Sequence, residues 1–173
     1  MLYRLFVPKQ AVGANLVYFD LFNSSASPCD IEVISVIPVV SGAVAVTGTL
    51  GVDLFLTRTS DVGTGGTAAT AEGTSLTACT ISAHESIENL PPGITARLTP
   101  TGGATAGAVI SQREVFTEET NSAAYNMVAD FVRVFYPDLP ALIVPKNTGI
   151  RVVQGAVASV GNIGFDVIFR LKS

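Results

Sequence analysis

Strict alternation of apolar with mostly polar or small residues dominates residues 162–171. Ile163, Phe165, Val167, Phe169 and Leu171 alternate there with Asn162, Gly164, Asp166, Ile168 and Arg170. Successive side chains of a strand point to opposite faces, so a period of 2 implies a strand with one buried face and argues against a helix, whose apolar stripe recurs every 3.6 residues. Lying at the end of the sequence, this strand is expected inside a sheet that ties the terminus down.

The same period runs through most of the chain. Further strands are expected over residues 2–7, 15–22, 30–37, 43–47, 52–59, 75–82, 95–99, 108–117, 131–136, 141–144 and 149–154. Gly, Pro, Asn and Asp clusters at 23–28, 60–66, 90–93, 100–103, 137–140 and 145–149 separate them. Many short strands with frequent turn signals predict an all-β antiparallel sandwich or barrel. A short helix capped by Thr120 or Asn121, with Ala124, Met127, Val128 and Phe131 as its stripe, competes with the strand at 131–136.

Two strands are apolar on both faces. Residues 15–22 put Leu16, Tyr18 and Phe22 on one side and Val17, Phe19 and Leu21 on the other, and Phe131, Arg133 and Phe135 alternate with Val132, Val134 and Tyr136. A two-layer sandwich buries only one face of each sheet. The second face therefore needs cover, either from a loop or arm of the same chain or from another subunit.

At 173 residues the chain is expected to form a single domain, 1–173, with residues 1–9 as a possible N-terminal arm or edge strand. Charged residues make up 14%, against about 25% in ordinary soluble proteins. Mean hydropathy is positive, yet the longest apolar run, 31–40, is broken by Glu32, Ser35 and Pro38 and falls far short of the ~20 residues that span a bilayer. No membrane partner is expected. Fourteen acidic against ten basic residues, the basic ones scattered singly, disfavour a nucleic-acid partner. Cys29 and Cys79 are expected to be reduced, and residues 1–10 are too weakly apolar for a signal peptide. The sequon Asn23-Ser24-Ser25 is then a chance match.

Groups that carry chemistry are scarce. Between residues 62 and 83 the one charged side chain is Glu72, and none is aromatic. The single histidine, His84, could pair with Ser82, Ser86 or Cys79 and with Glu85, but Cys79 lies an odd spacing away and no nucleophile elbow surrounds the serines. Zinc would need more His and Cys than the chain has, and Asp61 and Glu72 are too sparse for a dedicated calcium loop. The glycines of GTGGTA and TGGATAG do not form a phosphate loop; turns and close packing explain them. Glu118 and Glu119 are adjacent and point apart in a strand, unlike a glycosidase pair. No catalytic residue, cofactor or metal is expected.

The runs LTRTSDVGTGGTAAT, LPPGITARLTPTGGATAGAV and LIVPKNTGIRVVQGAVASVGNIGFDVIF resemble small β-sandwich proteins of tailed bacteriophages and their prophages. The stretch 144–155, Val-Pro-x-x-x-Gly-Ile-x-Val-x-Gln-Gly, is similar to a late turn and strand of jelly-roll folds. The resemblance implies a jelly-roll-like sandwich and a non-enzymatic virion protein that decorates or cements the head. It would be a homo-oligomer whose partner is the major capsid protein or another virion protein. The alternative is a receptor- or glycan-recognition module of a tail or fibre. Within residues 1–9, Leu2, Tyr3, Arg4, Phe6 and Lys9 are candidate partner contacts, unless the segment is simply the first strand of its own sheet.

Overall fold

The computed structural model describes residues 1–41, 50–71, 77–83, 91–117, 132–133, 141–157, 159 and 161–172. These residues contain thirteen strands: β1 (Leu2–Ala11), β2 (Val17–Asn23), β3 (Asp30–Ser41), β4 (Leu50–Thr59), β5 (Thr67–Ala68), β6 (Thr70–Ala71), β7 (Thr80–Ala83), β8 (Ile94–Leu98), β9 (Ala106–Thr117), β10 (Val132–Arg133), β11 (Leu142–Val144), β12 (Thr148–Gln154) and β13 (Asn162–Lys172). The expected strand at 43–47 and the possible helix after Thr120 lie outside the described residues.

The pairing follows a nested ribbon. β1 pairs with β13, β2 with β12, β3 with β11 and β4 with β9, all antiparallel. Rolling that ribbon brings β13 beside β3 and β12 beside β4. The result is two packed sheets with jelly-roll connectivity. One sheet has seven strands in the path β10-β3-β13-β1-β7-β6 with β11 also on β3; the other has six in the order β5-β8-β2-β12-β4-β9. We call them the first and second sheets. The segment between β4 and β9 extends both, adding β7 beside β1 and β8 beside β2.

Residues 67–71 join the two sheets along one side. Thr67 and Ala68 pair with Leu98 and Arg97 in the second sheet, the Ala69 N–H donates to the Ala96 carbonyl, and the Thr70 N–H donates to the Cys79 carbonyl in the first. The pattern gave no strand here, because the Ala and Gly that surround the few Thr are depleted in strands and no large apolar residue alternates with them. Small side chains suit a strand that must cross between layers.

One hydrophobic cluster fills the space between the sheets. Phe165 of β13 sits in it, 5.3 Å from the Tyr18 ring and 5.5 Å from the Phe19 ring, while Tyr3 stacks on Phe169 at 5.5 Å. Simple alternation cannot send both Tyr18 and Phe19 inward. A bulge does so: Val152 pairs with Phe19 but Val153 with Val17, leaving Tyr18 as the extra residue. This corrects the expected faces of β2, where Tyr18 joins Phe19 and Leu21 in the core. The Tyr18 hydroxyl donates to Gln154 Oε1 at 2.8 Å, which also accepts from the Gly13 N–H at 2.9 Å. Burial raises the Tyr18 pKa, so the phenol stays neutral.

Asn23 is fully buried, and its Nδ2 donates to the carbonyls of Cys29 and Val144. Its amide is therefore committed to tying β2 to its neighbours and is not displayed as a glycan acceptor. Cys29 and Cys79 are both free thiols. Burial, with Asp20 adding to it, pushes the Cys79 thiol up to about 12, so it is an inert core group rather than a nucleophile.

Candidate functional site

The N-terminal segment is not an edge. β1 pairs with β13 over most of its length and, over Tyr3–Phe6, with β7 on its other side. The segment is thus the first strand of its own sheet. Alternation then divides the candidate contacts. Tyr3 is 6% exposed and stacks on Phe169, so its ring packs in the core. Leu2 and Phe6 are half-buried on the outer face of the first sheet, and Arg4 and Lys9 are exposed.

Register assembles the rest of that face. Phe6 stands beside Asp166 and Asp166 beside Ile37; Arg4 stands beside Ile168, and Gly164 beside Val39. The face therefore carries partly exposed Leu2, Phe6, Ile37, Val39 and Ile168, with Val39 at 36% exposure. Two Arg–carboxylate pairs thread through it. Arg4 holds Asp166 through both carboxylate oxygens, at 2.7 and 2.8 Å from Nη2, and its guanidinium lies 5.9 Å from the Phe6 ring centre. Arg170 bonds Glu32, and that bond, above all, lowers the Glu32 pKa. At one end a groove of about 490 Å³ is lined by Phe6, Pro8, Lys9 and Val39, among others. It exists because β1 bulges between Val7 and Gln10 over Gly164, where a Cβ would meet Val7 O at 2.7 Å and Lys9 N at 3.0 Å.

The outer face of the second sheet is built differently. A single cross-strand row runs Ala68, Arg97, Asp20, Arg151, Thr57 across five neighbouring strands. The Gly/Thr tracts fold over it. The Gly63 N–H donates to Asp20 Oδ2 at 2.6 Å, Arg97 Nη1 donates to the Gly65 carbonyl at 3.0 Å, and the two tracts pair where the Thr64 N–H meets the Gly102 carbonyl at 2.6 Å. Gly63 has no room for a side chain: a Cβ would fall on Asp20 Oδ2 and within 2.9 Å of Pro100 Cβ. For β2, then, the second face is covered by the chain's own loops.

Asp20 is 1% exposed, and its Oδ1 meets no donor in hydrogen-bonding geometry. Burial raises its pKa; the Gly63 N–H, the nearby Arg97 amide and the charges of Arg97 and Arg151 oppose the rise. Nothing in the sequence marked this row. Its members are scattered along the chain, and only register and the β2 bulge bring them together.

The remaining candidates stand apart. Asp61 accepts from Thr105 Oγ1 at 2.8 Å and so clasps one loop to the other. Ser82 pairs across from Arg4 on β7. His84, Glu85, Ser86, Glu72, Glu118 and Glu119 lie outside the described residues. Among the described residues, no three His, Cys, Asp or Glu side chains are grouped to hold a metal ion, and no helix is long and apolar enough to cross a membrane. Comparison with protein-family models, with curated proteins and with solved structures returns no match to this chain.

Proposed function

We propose that the chain is a non-enzymatic structural protein of a bacteriophage virion, decorating or cementing the capsid as a homo-oligomer in contact with the major capsid protein or another virion protein. The observation that carries this reading is the contrast between the two outer faces. On the second sheet the chain's own loops cover β2, with Gly63 fitted against Asp20, and the apolar side chain left open is Val109, 59% exposed where β9 pairs with Thr57. On the first sheet, Leu2, Phe6, Ile37, Val39 and Ile168 remain partly exposed among bidentate and exposed arginines. Apolar side chains with arginine and an aromatic are the composition of a protein interface rather than of a solvated sheet. A cement protein repeats one weak contact over many equivalent sites, so modest apolar patches gain strength when copies are joined.

Gel analysis of purified virions tests the proposal. The protein should be present in many copies per head, and the substitutions Phe6→Asp and Val39→Asp should strip it from particles while leaving it folded. Absence from particles overturns the reading. A few copies located on the tail, with adsorption lost and heads sound when the protein is deleted, would assign the chain to receptor recognition instead.

A further inference from the structure

A second cavity lies on the outer face of the second sheet beside the charged row. It measures about 430 Å³ and is lined by Asn15, Leu16, Val17, Thr99, Thr101 and Arg151, among others. That volume is in the range of small-ligand sites, which run from about 300 to 1,000 Å³.

Three features of this cavity point to a ligand. Arg151 has five N–H donors, and among the described residues two bonds engage it, both long: Nε to Thr57 Oγ1 and Nη1 to the Ala104 carbonyl, each at 3.3 Å. Donor capacity therefore remains for a planar oxyanion, which a guanidinium fork matches bidentately. Local charge also favours an anion, although the chain is net negative. The row sets Arg97 and Arg151 on either side of a single carboxylate, Asp20, and that carboxylate is turned under the Gly63 loop. Finally, Asn15 and Thr99, both lining the cavity, hold positive φ of 59° and 44°. A β-branched residue in that region is strained by about 1–3 kcal/mol, a cost that concentrates at binding sites.

We infer that this cavity binds a small ligand that carries a carboxylate beside hydroxyl groups, the chemistry of a sugar acid. The carboxylate takes the open donors of Arg151, and the hydroxyls exchange hydrogen bonds with Asn15, Thr101 and the loop backbone. A sugar without the acid lacks the partner for Arg151, and phosphate lacks the hydroxyl-bearing body that fills the cavity. The inference does not rest on the virion reading and holds or fails separately from it.

Titration of the full chain with glucuronate, glucose and inorganic phosphate, followed by amide chemical shifts, tests it. Glucuronate should give saturable shifts confined to residues 14–17, 99–104 and 151, and glucose should give none at the same concentration. Arg151→Gln should weaken glucuronate by about tenfold or more, the loss expected for a charge-assisted hydrogen bond. Because Arg151 also faces Asp20, Thr101→Val serves as a second variant: it lies outside the row, removes a hydroxyl that lines the cavity and should weaken binding several-fold with the fold unchanged. Three results would overturn the inference: no localised saturable shift, equal response to glucose, or phosphate binding as tightly as glucuronate. If Arg151→Gln does not fold, the wild-type ligand comparison and Thr101→Val decide alone.

Discussion

Replacing Gly63 with alanine isolates the contact that closes the loop over Asp20 of β2. The new Cβ falls on Asp20 Oδ2, so the loop must lift and the 2.6 Å bond from the Gly63 N–H is lost. Asp20 Oδ1 already has no donor, so the substitution leaves a buried carboxylate with neither oxygen bonded by this loop. A hydrogen bond to a charged group contributes about 1.5–3 kcal/mol, and stranding the buried charge adds to that, so Gly63→Ala should cost about 2–4 kcal/mol. For a chain of this size that is a fall in Tm of roughly 5–15 °C. Urea unfolding at neutral pH, with the slope checked for constancy, measures it.

Asp20→Asn provides the second arm of a double-mutant cycle. The amide oxygen still accepts from Gly63, while the buried charge is gone. Gly63→Ala should therefore cost about 1 kcal/mol less in the Asn background than in the wild type. The pH dependence has a fixed sign. The folded pKa of Asp20 is raised, so its contribution is fully present below the unfolded carboxylate value and is lost as pH rises through the folded one. The stability of wild type relative to Asp20→Asn should accordingly decline as pH climbs through that window. A Gly63→Ala cost within about 0.5 kcal/mol of wild type, the range of ordinary surface changes, would refute this role for the Gly63–Asp20 contact. So would an equal cost of the alanine in both backgrounds, or a relative stability of wild type that increases with pH.

Other outcomes can be checked alongside. Phe165→Ala removes the ring against which Tyr18 and Phe19 pack and should cost about 3–5 kcal/mol in chemical denaturation. Gln154→Leu strands the Tyr18 hydroxyl and the Gly13 N–H, for a loss of about 1–3 kcal/mol, whereas Tyr18→Phe in the Leu background should recover part of it. Thiol labelling of native protein at mildly alkaline pH should modify half-exposed Cys29 and spare Cys79, whose pKa of about 12 and burial withhold the thiolate until unfolding. Equal labelling rates at the two sites would contradict the placement of Cys79 in the core.

Periodicity made most of the fold legible. The alternation at 162–171 became β13, and the expected strands at 2–7, 30–37, 52–59, 108–117, 141–144 and 149–154 all fall within or close to observed strands. What alternation cannot contain is register. Arg97, Asp20 and Arg151 look like isolated charges in sequence and become neighbours only when β8, β2 and β12 align. Bulges are the second blind spot. One extra residue at Tyr18 reverses the expected faces of the first half of β2, and the one between Val7 and Gln10 opens the groove beside Lys9. Residues 60–66 and 100–105 form the expected loops, whereas 67–71 form strands instead, and the cover over β2 depends on Gly63 meeting Asp20, a contact that composition does not encode.

The nested ribbon also sets how the molecule meets a pulling force. Leu2 and Arg170 stand directly opposite each other on antiparallel β1 and β13. Tension applied between those two positions acts across the strands, so it opens the ladder one rung at a time instead of shearing every bond at once. The two end strands should therefore peel apart at low force. A load carried through the outer faces of the sheets would instead bear on the whole packed interior.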